Sequence, residues 1–387
     1  MIHVNLLKKK IICLIFIFLS FNVFLHSFSS FDKPNDIYPE VVLPSTLSLS
    51  GIYCTYQNQS LFSNPSLFAF NEEKTSLFSF NFKLDSLSYS FFKYIGEKDS
   101  INQYFSILSN AKTLYSNASI TGPISFSFLG KNFGFGLFNT TRAIANLSSI
   151  SSVFALLGED ILIKGGYGAS IYEKGGHVIS LGVNMKGFFQ TYAYLKGTLL
   201  GSSYSFYNNG FESAPIVFQA GFGLDIGFIY KWKNKFSLGF TCNDLYSPFV
   251  VTYYENYHTF LKSKQSENAK YKTFIPKFNI GCNFEIFSKG CFNNISSLTF
   301  YVDLKDIFSF IPSIRRNYFL NFAIGGELIF HQVLFVRLGI MELYPYFGVG
   351  LDFSYFNLDF GIYGKELALN AWSRPLVNIE IGIRFDI

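Results

Sequence analysis

From residue 76 onward, apolar and polar residues alternate in short segments along most of the chain. In the last segment, every second residue from Val377 to Ile387 is apolar, and the residues between are Asn, Glu, Gly, Arg and Asp. Segments 78–84, 218–228, 278–286 and 298–304 show similar alternation. A period of two places alternate side chains on opposite faces of a β-strand. The pattern predicts about 13 to 15 strands, many near the ~9–11 residues that a tilted strand needs to cross hydrocarbon.

The first 30 residues have the pattern of an export signal. Three consecutive lysines at 8–10 precede a mostly apolar stretch at 11–25, and a small-residue stretch at 27–30 offers a cleavage site. We expect residues 1–30 to be a cleaved signal peptide, with an uncleaved N-terminal anchor as the alternative. Either way, the rest of the chain is expected outside the cytoplasm.

Composition bears on where the apolar faces of the strands point. The 387 residues are 49% hydrophobic and 20% aromatic, with 49 Phe and 25 Tyr, and the mean hydropathy is +0.25. After residue 30 no apolar run approaches the ~20 residues of a membrane-spanning helix. In a membrane barrel the apolar faces meet lipid, whereas in a soluble sandwich they face each other. The export signal and abundant aromatics favour an all-β, closed antiparallel transmembrane β-barrel of about 14 strands in the cell outer membrane. A secreted β-sandwich or multi-domain β protein is the alternative.

The region between the signal and the first strands differs in composition. Residues 31–75 contain Pro34, Pro39 and Pro44, which discourage continuous regular structure. A barrel of about 14 strands is wider than the ~8-strand case that side chains alone can fill. Water, a plug or a ligand must occupy the remaining space, and residues 31–75 are the candidate N-terminal plug or cap.

The barrel itself is predicted to occupy residues 76–387. The longest charged insertion, 244–273, is interpreted as an extracellular loop, because such barrels have long loops on one rim and short turns on the other. Within residues 140–160, a short helix is expected around 152–157.

Several motifs resemble those of one family of outer-membrane proteins. Residues 51–70 include the turn Asn64-Pro65-Ser66, and 235–245 reads KFSLGFTCNDL. Segments 324–340 and 346–363 contain Gly-x-Glu, Arg-x-Gly, Gly-x-Gly-x-x-Phe and Leu-Asp-Phe patterns. These features are similar to those of the fatty-acid-transporter-like (FadL-like) barrels and their TraF-like and PorV-like relatives. The Phe-rich composition is similar to that of spirochaetal members. The resemblance implies a barrel of about 14 strands that admits hydrophobic small molecules such as long-chain fatty acids, although some relatives are non-transporting partners of secretion systems.

Isolated charges lie on the polar faces of the last strands and should face the barrel interior. They are Glu327, Arg337, Asp352, Asp359, Glu380, Arg384 and Asp386. Buried charges must be paired or hydrated. One interpretation is a ladder of salt bridges that stiffens the wall. The other is a polar track for solutes or for the head group of a ligand.

The sequence offers little support for other activities. No nucleophile stands beside a base, as an outer-membrane hydrolase requires, and no spacing of His, Cys or carboxylates suggests a metal site. We therefore predict no catalytic residues, no metal and no cofactor, and hence no enzyme. The formal net charge of +5 is not gathered into a basic stripe, so nucleic acid is not an expected partner.

Three functions remain open. The barrel is expected to conduct hydrophobic or amphipathic molecules passively, with the N-terminal segment as a hatch. The alternatives are a water-filled porin and a non-transporting surface or scaffold barrel that binds a partner through its loops. Expected partners are outer-membrane lipid, the barrel-assembly machinery and a hydrophobic small-molecule substrate.

Overall fold

The structure, a computed structural model, is built almost entirely of antiparallel strands. It describes residues 27–28, 52, 54–56, 61–85, 114–149, 152–198, 214–233, 235–262, 269–287, 295–307, 317–367, 370, 372–373 and 375–387. The strands are β1 (Ser27–Phe28), β2 (Lys74–Asp85), β3 (Leu114–Gly130), β4 (Phe133–Ser149), β5 (Ser152–Lys174), β6 (His177–Thr198), β7 (Ile216–Trp232), β8 (Phe236–Tyr246), β9 (Pro248–Tyr254), β10 (Lys270–Thr273), β11 (Lys277–Phe287), β12 (Ile295–Leu304), β13 (Phe322–Phe330), β14 (Leu334–Met341), β15 (Tyr344–Asp352), β16 (Phe356–Glu366) and β17 (Pro375–Asp386).

The helices among the described residues are short. They are α1 (Tyr257–Leu261) and the 3₁₀ helices Pro65–Phe70 and Tyr318–Asn321. Among the residues described, none of these helices is long and apolar enough to cross a membrane.

The sheet closes on itself. Strands β2 to β8 pair in chain order, as do β11 to β17. The ring is completed where β17 pairs with β2 and where β8 pairs with β11. The result is a closed antiparallel barrel of 14 strands, which confirms the predicted fold. The two-residue β1 lies within the predicted signal peptide and is not needed for this closure.

One hairpin of the barrel is bent and extended. Pairing of β8 with β7 shifts near Asp244, which has a φ of 55°, and the chain then continues as β9 along β7. Strand β10 pairs with β9 and leads into β11. The segment 244–273, predicted as one long loop, therefore carries β9, α1 and β10 as well as connecting residues. Strand β9 has Phe249 and Val251 two residues apart, so both side chains point to the same face and pack inside the barrel.

The predicted short helix near 152–157 is wrong. These residues belong to β5, and the ladder between β4 and β5 runs from Phe133↔Tyr167 to Ser149↔Ser152. Helix-compatible composition over six residues is outweighed by a ladder that satisfies the backbone of both strands along their length.

The two faces of the barrel wall differ as the alternation predicts. On β15, Phe347 is 43% exposed and its neighbour Tyr346 only 3%. On β17, Ile381 is 38% exposed and Asn378 only 1%. A continuous outer surface of this kind is far larger than the apolar patches of water-soluble monomers, and it suits acyl chains. Closure in turn satisfies the backbone groups that lipid cannot. The chain is an outer-membrane barrel.

The rim that carries the C-terminus also has short turns at 131–132, 175–176, 331–333 and 353–355, and we call it the short-turn rim. The opposite rim has a short turn at 342–343. Strands β3 to β7 have 17 to 23 residues, against 8 to 12 for β13 to β17. Because ~9–11 residues cross the hydrocarbon, the wall from β3 to β7 continues beyond the membrane.

Candidate functional site

Part of the chain that precedes the barrel lies inside it. We call the described residues 52, 54–56 and 61–70 the lumen insert. Its centre is the predicted motif Asn64-Pro65-Ser66, and all three residues are buried. The side chain of Asn64 accepts from the backbone N–H and the hydroxyl of Ser66, at 3.1 and 2.7 Å, and so caps the 3₁₀ helix. Its Nδ2 donates to the carbonyls of Cys54 and Phe228 at 2.9 and 3.0 Å. One side chain thus ties the insert together and ties it to β7.

The wall beneath this turn lacks side chains. A Cβ on Gly182 would lie 2.2 Å from the carbonyl carbon of Pro65, and one on Gly227 would lie 2.0 Å from Oδ1 of Asn64. A Cβ on Gly168 would lie 2.6 Å from the Pro65 carbonyl oxygen. Because these glycines are adjacent on β5, β6 and β7, they form a recess into which the turn fits.

The first residues of the lumen insert contact the opposite wall. The backbone N–H of Cys54 donates to Asp303 Oδ2 at 2.9 Å, and the Tyr56 hydroxyl donates to Glu327 Oε2 at 3.0 Å. Cys54 is fully buried, and this burial raises the pKa of its thiol well above its usual value. The insert therefore spans the lumen from β12 and β13 to β5, β6 and β7.

Three of the predicted inward charges form one cluster. Arg337 Nε lies 2.8 Å from Glu327 Oε2, and its Nη1 lies 2.6 Å from Asp359 Oδ1. Arg337 and Glu327 are each 3% exposed. Because Tyr56 also donates to Glu327, the cluster joins three strands to the lumen insert.

The other predicted charges lie nearer the C-terminus. Asp386 Oδ2 accepts from Arg384 Nε at 2.9 Å, from Asn357 Nδ2 at 2.5 Å and from Lys74 Nζ at 2.7 Å. Glu380 accepts from the Tyr363 hydroxyl at 3.4 Å. Five of the seven predicted charges thus fall into two ion-paired clusters, one of three residues and one of two.

A polar cavity lies at the short-turn rim. Its volume is about 940 Å³. The predicted residues that line it are Arg337, Asp352, Asp359, Arg384 and Asp386. In Asp352, Oδ1 accepts the backbone N–H of Ser354 in the turn that follows, at 2.9 Å. This cavity is a vestibule below the lumen insert, with charges of both signs on its wall.

A second interior feature is apolar, and the sequence analysis missed it. Phe138, Leu162 and Phe188 stand directly opposite one another on β4, β5 and β6, and Phe249 continues the line across Gly221. We call these four residues the apolar row. They are 0 to 5% exposed. Inward Phe residues are hard to recognise in a chain with 49 Phe, because Phe also occurs on the outer face of the strands. Leu162 and Phe188 nevertheless share the parity of the polar Lys164 and Gln190.

The apolar row is covered by the lumen insert. Leu61 belongs to the same cluster of buried side chains, and Phe62 packs against it with its ring 4.6 Å from that of Phe138. On the other side, Phe274 stacks on Phe249 with 4.2 Å between ring centroids. The insert thus fills an interior apolar surface with its own side chains.

Four buried charges on β5 to β8 lie below this row. Lys186 Nζ is 2.7 Å from Asp244 Oδ1 and 3.3 Å from Asp225 Oδ1, and Lys164 Nζ is 3.2 Å from Asp225 Oδ2. The Ser247 hydroxyl donates to Asp244 at 2.6 Å. These contacts hold the bend between β8 and β9. The alternation does not predict the contact with Asp244, because the bend brings this residue to the inner face.

Comparisons with known proteins find similarity in solved structures. No family model and no curated protein matches the chain. The toluene transporter TbuX of Ralstonia pickettii is similar over 89% of this chain and 97% of its own, with a TM-score of 0.48 and 10% identity. The toluene transporter TodX of Pseudomonas putida is similar over 88% of this chain and 97% of its own, with a TM-score of 0.48 and 10% identity. A FadL homologue of Pseudomonas aeruginosa is similar over 89% of this chain and 97% of its own, with a TM-score of 0.43 and 10% identity. These likenesses concern the fold alone. The chain is an outer-membrane barrel of 14 strands, similar to FadL-type barrels.

Proposed function

We propose that this barrel transports hydrophobic or amphipathic small molecules passively across the outer membrane, with the lumen insert as a hatch. The observation that carries the proposal is the apolar row inside the barrel, covered by Leu61 and Phe62. A water-filled pore gains nothing from a buried aromatic surface in its lumen. A hydrophobic solute that replaces these two side chains would find a dry surface already formed.

The seating of the insert also supports a selective path over an open pore. The described residues of the insert cross the lumen and contact both walls. A molecule that passes through must displace at least part of the insert. We therefore expect slow passage of ions and sugars and faster passage of molecules that bind the apolar row. The sequence resemblance suggests long-chain fatty acids as one such cargo.

The test compares two adjacent residues of β6 that point in opposite directions. Phe188 is fully buried in the apolar row, whereas Phe189 is 48% exposed on the outer surface. Burying a Phe side chain is worth about 1.5–3 kcal/mol, so Phe188→Ser should lower uptake of a hydrophobic probe by roughly tenfold or more. Phe189→Ser should leave uptake near that of the unchanged protein, and folding of both variants is checked by electrophoretic heat modifiability.

Uptake of radiolabelled dodecane is measured in cells whose own hydrophobic-compound transporter has been deleted. Ion conductance is measured separately, with the purified barrel in planar bilayers. Uptake that depends on Phe188, with little conductance, is the expected result. A large steady conductance indicates a general porin. The absence of both, in folded protein, indicates a barrel that binds partners without transport.

A further inference from the structure

A continuous line of polar side chains lies next to the apolar row on the side away from the short turns. Each residue stands directly opposite the next across the ladder from β2 to β7. We call this line the polar belt, and its members are Asn81, Thr121, Thr140, Asp160, Gln190 and Gln219. Each is no more than 5% exposed. The belt and the row are two residues apart along β4, β5 and β6, or roughly 7 Å.

Hydrogen bonds within the belt are unevenly distributed. At the β5 to β7 end, Asp160 accepts from Gln190 Nε2 at 2.8 Å and from the Tyr192 hydroxyl, and Gln190 accepts from Gln219 at 3.1 Å. At the centre, the hydroxyls of Thr121 and Thr140 are 2.9 Å apart. This part of the belt is internally bonded.

The β2 and β3 end is different. Nδ2 of Asn81 and Oγ of Ser125 are buried and have no hydrogen-bond partner among the described residues. Asn81 is 5% exposed and Ser125 is 2% exposed, and Ser125 stands directly opposite Phe138 of the apolar row. Buried polar groups are nearly always bonded, so each of these two atoms requires an explanation such as a ligand or ordered water.

Charges around the belt already have partners. Arg142 lies 3.0 Å from Asp160, and Lys83 stands opposite Glu380 in the ladder with its Nζ 5.8 Å from the centre of the Tyr363 ring. An anionic head group would meet the carboxylate of Asp160 and would compete with it for Arg142. The groups that lack partners, an amide N–H and a hydroxyl, are neutral.

We propose that Asn81 and Ser125 bind the uncharged, oxygen-bearing head group of an amphiphile whose hydrocarbon chain lies on the apolar row. This inference rests on the proposed function and narrows it, because it favours alcohols or esters over ionised fatty acids. The amide of Asn81 donates to the head-group oxygen, and the Ser125 hydroxyl donates or accepts as the head group requires.

The test uses three probes with the same chain length: radiolabelled dodecane, 1-dodecanol and dodecanoate at pH 8. Equilibrium binding is measured on the full mature barrel in lipid nanodiscs, with empty nanodiscs as the blank. We expect 1-dodecanol to bind at least tenfold more tightly than dodecanoate. Asn81→Leu and Ser125→Ala should each weaken 1-dodecanol at least fivefold and leave dodecane unchanged.

A matched control is available on β2. Ser76 is also buried, its hydroxyl has no hydrogen-bond partner in the described part of the chain, and it lines the vestibule instead of the belt. Ser76→Ala should leave all three probes unchanged. Dodecanoate binding as tightly as 1-dodecanol, or insensitivity to both belt substitutions while dodecane still binds, overturns the head-group assignment alone. If no probe binds folded barrel, the proposed function fails as well.

Discussion

The recess beneath the Asn64-Pro65-Ser66 turn permits a direct test of how the lumen insert is held. In Gly182→Ala, the new methyl carbon would lie 2.2 Å from the Pro65 carbonyl carbon, so the turn cannot remain where it is. Overpacking by a methyl group costs about 1–3 kcal/mol. Because 1.4 kcal/mol is tenfold in an equilibrium, the ratio of docked to undocked insert should fall roughly 5- to 150-fold.

Cys54 reports this equilibrium. Its thiol is fully buried in the docked insert, and burial raises its pKa well above the usual value, so the docked form contains very little reactive thiolate. With Cys242, Cys282 and Cys291 changed to Ala, the rate of maleimide labelling should follow the fraction of undocked insert. The Gly182→Ala variant should label roughly 5- to 150-fold faster, as the free-energy change requires.

The same strand provides the control. A Cβ on Gly187 meets no described atom within 4 Å. Gly187→Ala therefore makes the same chemical change in the same strand as Gly182→Ala but leaves the insert docked. Equal labelling rates in the two Gly→Ala variants would refute the docking model. Asn64→Ala approaches the question from the insert, because it removes the Nδ2 bonds to the Cys54 and Phe228 carbonyls. At about 0.5–1.5 kcal/mol per bond, labelling should accelerate by a similar factor.

Two further predictions concern the wall. Ile381→Arg should destabilise the barrel by about 2–4 kcal/mol in urea unfolding in lipid vesicles, because this side chain faces lipid. Ser127→Arg, which points into the polar vestibule, should cost less, and the reverse order would contradict the assignment of faces. Arg337→Met should cost about 3–5 kcal/mol, because it leaves Glu327 buried without its cation and also removes the cation beside the partly exposed Asp359. Normal stability with altered solute uptake would instead favour a polar track over a stiffening ladder.

The period of two was enough to predict the fold. Strict alternation in β15 to β17 fixes which side chains face outward, since a shift of one residue would turn every apolar side chain of the strand inward. The number of strands followed from the number of such segments. The error at 152–157 has a physical origin, because six residues cannot reveal that β4 and β5 pair far beyond the membrane.

The interior was only partly predictable. Inward charges such as Arg337 and Asp359 are rare in strands and stand out, and neighbouring strands bring them together. The apolar row does not stand out, because a Phe on the inner face looks the same in sequence as a Phe that meets lipid. The pairing of Lys186 with Asp244 depends on the bend at the end of β8. The local sequence pattern does not predict this bend.

The width of the barrel explains why its inner wall is so varied. Fourteen strands enclose more space than wall side chains alone can fill. On β5 to β7 the wall omits side chains at Gly168, Gly182 and Gly227, and the backbone of the insert occupies that space. Leu61 and Phe62 of the insert pack against the apolar row of the wall. Insert and wall are therefore complementary, and any molecule that crosses the barrel must compete with the insert for one of these surfaces. In the proposed transport, a solute that matches Leu61 and Phe62 in chemistry would compete best, so selectivity for hydrophobic cargo would follow from this competition.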